Sequence, residues 1–155
     1  MMKLKLFLTS LIILAGLSLT QKTYAHCEIP CGIYGDSLRF KEVYEHITTI
    51  EKSMREIDRL SKEDVINYNQ IVRWVNNKDD HANKVQDIVE QYFLHQRIKI
   101  KDPSESEAYH KYTNQLVLLH KMLVYAMKAK QTTDLAYIKQ LNDTWHTFEH
   151  AYFDE

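Results

Sequence analysis

Between Asp36 and Glu155 this chain has no glycine and a single proline, Pro103. A β-protein of this length needs repeated tight turns, and those turns draw on residues that accept positive φ. Helices need no such residues in their interiors, where glycine and proline both destabilise. The long glycine-free stretch therefore calls for helices joined by a few links.

Apolar residues recur along it at helical spacing. The first run is Phe40, Val43, Ile47, Ile50, Met54 and Ile57, with steps that alternate between three and four. That is a narrow a/d stripe, flanked by Lys41, Glu42, Glu51, Lys52, Arg55 and Glu56. Asp36 or Ser37 is placed to cap its start. Ser61 with Asp64 three residues later has the form of a near capping box, and it predicts the opening of a second helix. That helix carries Val65, Tyr68, Val72, Val75, then Ala82, Val85, Val89 and Tyr92, with Asp79 interrupting.

Asp102-Pro103 reads as a cap followed by proline at the first helical position. It precedes a third stripe of Tyr109, Tyr112, Leu116, Leu119, Met122 and Ala126. Thr133 or Asp134 begins the fourth, which carries Leu135, Ile138, Leu141, Trp145, Phe148 and Tyr152. Four amphipathic helices with short links predict an all-α, up-down-up-down four-helix bundle. Apolar residues off the stripes, among them Ile71, Trp74 and Val117, widen the buried faces and leave surface to pack against other subunits.

The first residues have a different character. Lys3 and Lys5 precede an apolar run from Leu6 to Leu19, and Gln21-Lys22-Thr23-Tyr24-Ala25 leads to a small residue. This is the pattern of a cleaved export signal, and its apolar run is short for a membrane span. The expected division is a signal peptide over 1–25, a metal-binding hook over 26–36 and the bundle over 37–155. The expected location is outside the cytoplasm, periplasmic or secreted, with no membrane attachment after cleavage. Cutting between Ala25 and His26 leaves 130 of the 155 residues and removes three lysines from a chain of formal charge −1, giving −4. An acidic balance with no run of Lys/Arg beyond pairs argues against a nucleic-acid binder. It also leaves any attraction for an anionic substrate to local charges.

Both cysteines, Cys27 and Cys31, fall within the nine residues that follow the cut, His26-Cys27-Glu28-Ile29-Pro30-Cys31-Gly32-Ile33-Tyr34. One disulfide is the plain reading for an exported chain. It would close a very small loop and tie none of the helices together. The alternative is chemical. A chain that begins at His26 offers an α-amine, an imidazole, the amide nitrogen and thiolate of Cys27, and the thiolate of Cys31. Amine, amide and Cys27 sulfur form fused five-membered chelate rings; Cys31 sulfur completes a plane, and the imidazole stands above it. Two nitrogens and two sulfurs in a plane suit nickel or copper(II), whereas zinc prefers a tetrahedron. Loss of an amide proton again favours nickel or copper.

The nonapeptide resembles the nickel hook of the nickel superoxide dismutase family, His-Cys-x-x-Pro-Cys-Gly-x-Tyr. His26, Cys27, Pro30, Cys31, Gly32 and Tyr34 match it at identical spacing. The resemblance implies a nickel ion held by His26, Cys27 and Cys31, a homohexamer of four-helix bundles, and conversion of superoxide to oxygen and hydrogen peroxide by Ni(II)/Ni(III) cycling. Thiolate and amidate donors lower a nickel potential that is otherwise too high, and the peroxide product makes narrow access to the thiolates desirable. Tyr34 is placed to gate that access and to hydrogen-bond incoming anions. Glu42 stands where the family has a glutamate that orients the axial imidazole. For the family's arginine on the second helix, Arg73 and His81 are both candidates.

Other readings compete. An exported, non-catalytic nickel- or copper-binding helical protein could use the same N-terminus, and a helical binding domain could carry only a disulfide. His146-Thr147-Phe148-Glu149-His150 has the spacing of one metalloprotease motif, but it lies in the last turns of the chain with no room for a further carboxylate ligand, and reads as one face of a helix.

Overall fold

The computed structural model describes residues 32–153. Among them the chain forms four long helices and no strand, as the lack of glycine requires. Helix α1 spans Asp36–Leu60 and α2 spans Tyr68–Asp87, which continues as a π-helical stretch over Ile88–Arg97. Helix α3 spans Ser106–Gln131 and α4 spans Leu135–Phe153. Each helix packs on the next, and α4 returns to α1, so the four close a ring around one core.

The α1 stripe is buried throughout: Phe40, Val43, Ile47, Ile50, Met54 and Ile57 all face the core, and Leu60 extends it by one position. In α4, Ile138, Leu141, Trp145 and Phe148 do the same. Each such side chain contributes roughly 1.5–3 kcal/mol when fully removed from water. Asp134 starts α4 by accepting a hydrogen bond from the Ala136 amide at 2.9 Å.

Three boundary expectations are corrected. Ser61 does not open α2. It ends α1, its hydroxyl donating back to the Ile57 carbonyl at 2.6 Å. Helix α2 begins at Tyr68, capped by Asn67, whose side chain accepts from the Gln70 amide at 3.2 Å. Val65 thus lies in the link, and Val65, Tyr68 and Val72 are 85%, 71% and 55% exposed rather than core residues. Asp102-Pro103 makes a separate turn ahead of α3: Asp102 accepts from the Ser104 amide and hydroxyl at 2.8 and 2.6 Å, and the helix starts at Ser106. Ser61 thus satisfies a last-turn carbonyl of the helix it ends, and Asp102 satisfies groups in a turn ahead of α3, where each was expected to cap the start of a new helix.

The Asp79 interruption of the second stripe has a structural partner. Its neighbour Lys78 is buried, and its Nζ donates to the carbonyls of Ala129 and Lys130 at 2.8 and 2.5 Å. These are last-turn carbonyls of α3, which have no partner within their own helix and where a cation is favoured.

At one end of the bundle the core is aromatic. The Phe40 ring lies 4.4 Å from Trp145, 5.1 Å from Phe93 and 5.7 Å from Phe148, centroid to centroid. Tyr152 and Phe153 close over it at 5.4 and 5.0 Å. This is the end at which the chain enters α1.

Candidate metal centre

His26, Cys27 and Cys31 lie outside the described residues. What the structure describes is the chain just after them. Gly32 has φ +75°, a conformation that L side chains rarely adopt, and no atom would meet a Cβ there within 4 Å. Glycine is therefore required at this position by the backbone rather than by crowding. Gly35, at φ −122°, has no such need and serves as the residue before α1. Its carbonyl accepts the first helical bond, from the Arg39 amide at 3.0 Å.

Asp36 is the first residue of α1, and its side chain does not cap the helix. The carboxylate turns instead to distant parts of the chain. Oδ1 accepts from the Tyr92 hydroxyl at 2.5 Å and from Arg97 Nε at 2.9 Å. Oδ2 accepts from Arg97 Nη2 at 2.6 Å and from the Tyr152 hydroxyl at 2.9 Å. The guanidinium fork also reaches Tyr152, with Nε donating to its oxygen at 3.1 Å. Helix α1, the end of the π-helical stretch and the end of α4 thus meet at one carboxylate.

The π-helical spacing makes this possible. Five residues along an α-helix turn the side chain about 140° away from the starting direction. A segment bonded from i to i+5 brings positions five apart back toward one face. Tyr92 and Arg97 are five apart, and both reach Asp36.

Burial raises the Asp36 pKa, but the hydrogen bonds from Arg97, Tyr92 and Tyr152, with the Arg97 charge, outweigh it and hold the carboxyl below its ordinary value. Arg97 is pushed up, chiefly by its hydrogen bond to Asp36. Burial and then the bond to Asp36 raise Tyr92 and Tyr152 to about 12 each, so both stay protonated as donors.

Tyr34, 38% exposed, stands beside this cluster. The Arg97 guanidinium carbon is 4.2 Å from its ring centroid, and the Tyr92 ring meets it edge-on at 6.0 Å. Arg39 lies 5.3 Å from the Tyr92 ring centroid, and its Nη1 pairs with Glu42 Oε2 at 2.5 Å.

The balance of Glu42 is thereby settled within α1. Neither Arg73 nor His81 supplies its hydrogen bond: Arg73 is exposed, and His81 Nδ1 sits 3.1 Å from His46 Nδ1, so one imidazole donates to the other. Burial and then the charge of His81 lower the His46 pKa, against an opposing effect of Glu42, which lies one turn before it. Burial and Lys84 lower His81. His146 and His150 are exposed on α4, as a helix-face reading expects, with His146 Nδ1 3.7 Å from Glu149. Among the described residues no three His, Cys, Asp or Glu side chains gather into a metal site.

The sequence profile of the nickel-containing superoxide dismutase family matches residues 21–155, a span that takes in the hook and the whole bundle. The chain belongs to the nickel-containing superoxide dismutase family. It is an oxidoreductase, and nickel is its cofactor. No curated protein and no solved structure matches it.

For a nickel superoxide dismutase the donor chemistry of this chain fits. Neither cysteine falls in the bundle, so no thiol is committed to packing the described core. Tyr34 and Glu42, the candidates named from the sequence, lie just before the first helix of the bundle and in its second turn. The sequence reading took Asp36 for a cap and Tyr152 for a stripe residue, and it did not name Arg39 or Arg97. Only the Arg39–Glu42 pair had a signal that could have been read, its i, i+3 spacing.

Proposed function

We propose that this enzyme is exported, cut between Ala25 and His26, and converts superoxide to dioxygen and hydrogen peroxide at nickel held by the new N-terminus. Two superoxide anions and two protons give one molecule of each product. His26 would hold the ion through its amine and imidazole, Cys27 through its amide nitrogen and thiolate, and Cys31 through its thiolate. Nickel bound there supplies a one-electron Ni(II)/Ni(III) couple, made accessible by the anionic donors.

The protein does the rest. Glu42, held by Arg39, would orient the His26 imidazole, the part that the resemblance to the family implies for it. Tyr34 follows Cys31 by three residues, at most about 11 Å of extended chain. Its hydroxyl would screen the thiolates and offer a hydrogen bond to the incoming anion. The exposed Val65, Tyr68 and Val72 supply apolar surface of the kind that a homohexamer would bury.

The observation that carries this reading is the six-residue match from His26 to Tyr34 at a predicted cleavage site, in a chain of this family. Family membership also favours an enzyme over a non-catalytic metal carrier. The test is to compare protein that starts at His26 with protein that carries one extra residue before it, by N-terminal sequencing, nickel content and dismutase assay. The extended form should bind nickel poorly and show no dismutation. Full nickel and full activity in the extended form would refute the proposal.

A further inference from the structure

We infer that Asp36 and Arg97 are positioning residues for this reaction: with Tyr92 they form a seat that fixes Tyr34, and with it the start of the short lead back to Cys31. The inference rests on the proposed part of Tyr34 at the metal centre. A partly exposed tyrosine ahead of a helix is ordinarily free to change rotamer. Tyr34 is held on two sides, by the Arg97 guanidinium at 4.2 Å and the Tyr92 ring at 6.0 Å.

Neither neighbour is free to move. Arg97 is locked as a two-pronged donor on Asp36, and its Nε also reaches Tyr152. Tyr92 is tied to the same carboxylate through its hydroxyl. Asp36 therefore accepts four hydrogen bonds, two on each oxygen, and sits two residues from Tyr34 on the same backbone. The loop from Tyr34 through Gly35 to Asp36, and back through Arg97 to the Tyr34 ring, is closed. A carboxylate used only to tie helices together would not need its arginine over that ring. A guanidinium over an aromatic face is attractive through the ring quadrupole, and the fork on Asp36 sets where that attraction acts.

The test uses mature, nickel-loaded protein labelled with 3-fluorotyrosine, with the Tyr34 resonance assigned through Tyr34→Phe. Arg97→Gln should shift or broaden the Tyr34 fluorine line. Tyr152→Phe, which takes one hydrogen bond from Asp36 but leaves the fork in place, should not. Arg97→Gln should also lower turnover by about three- to thirtyfold, the range a cation–π contact corresponds to, and Arg97→Lys should recover part of the loss. Adding Arg97→Gln to Tyr34→Ala should cost nothing further, because both act through one ring. If Arg97→Gln does not fold, Asp36→Asn, which keeps the side-chain shape, gives the same readings. An unmoved Tyr34 line, or losses that multiply in the double variant, would overturn the inference. Full activity in Tyr34→Ala would instead remove the part proposed for Tyr34, while the line position would still decide whether the seat exists.

Discussion

Replacing Asp36 by alanine should destabilise the bundle far more than removal of an ordinary surface acid. The substitution leaves the Arg97 guanidinium without its partner and two tyrosine hydroxyls without their acceptor. An exposed ion pair is worth up to about 1 kcal/mol, and breaking a fully buried one costs about 3–5 kcal/mol. The Asp36 and Arg97 side chains are 20% and 25% exposed, so the pair lies between these limits and nearer the buried one. With partial replacement of the tyrosine bonds by water, the loss comes to about 3 kcal/mol. For a domain of this size that lowers the melting temperature by about 10 °C. Thermal unfolding of nickel-free protein, followed by far-ultraviolet circular dichroism, keeps metal binding out of the comparison. Asp58→Ala is the control, since Asp58 is exposed and pairs with the exposed Lys62 just past the end of α1. The effect should also depend on pH. The folded pKa of Asp36 is depressed, so its contribution is present above the unfolded value of 3.8 and is lost as pH falls through the folded one. Wild type and Asp36→Ala should therefore converge in strong acid. If Asp36→Ala melts within a degree or two of Asp58→Ala at neutral pH, the carboxylate does not tie the helices together and the reasoning fails.

Three further outcomes follow from the same structure. Cys27→Ser and Cys31→Ser should each lose nickel-dependent turnover yet keep the helical circular dichroism spectrum, because no core position of the described bundle is a cysteine; loss of helix would make the cysteines structural. His26→Gln should retain nickel but lose the paramagnetic signal of oxidised nickel and at least about tenfold in turnover, some 1.4 kcal/mol, with Glu42→Ala a milder version; wild-type turnover in His26→Gln with nickel bound would exclude the imidazole as a redox ligand. His46 and His81 have depressed folded pKa values, so the unfolded chain takes up their protons first as pH falls below 6.5, and stability should decline from there. The double change to Gln should flatten that decline in melting temperature, and an unchanged slope would show that the pair takes up protons alike in the folded and unfolded states.

Much of the bundle was legible because α1 and α4 bury single, regular stripes. Phe40 to Ile57 and Ile138 to Phe148 state their own periodicity, and the partner helix only has to be apolar. The start of α2 was not legible. Val65, Tyr68 and Val72 have the spacing of a core stripe yet face solvent, since periodicity fixes an angle about one helix axis and says nothing of what stands opposite. Ser61 and Asp102 misled for a related reason: a short polar side chain ends a helix or makes a turn as readily as it begins one.

The sequence by itself determined the helical class, through the missing glycines, and it alone supplies the donor set proposed for the hook, whose residues lie within six consecutive positions and need no fold to be adjacent in the chain. The surroundings of Tyr34 were decided only by the tertiary structure. Asp36 meets Tyr92, Arg97 and Tyr152 across 56, 61 and 116 residues of chain. Two of those meetings depend on a change from α- to π-helical winding that no local pattern announced. A carboxylate at the start of a helix reads as a cap until the fold brings an arginine and two hydroxyls to it; their charge-assisted hydrogen bonds then outcompete the nearby backbone amides.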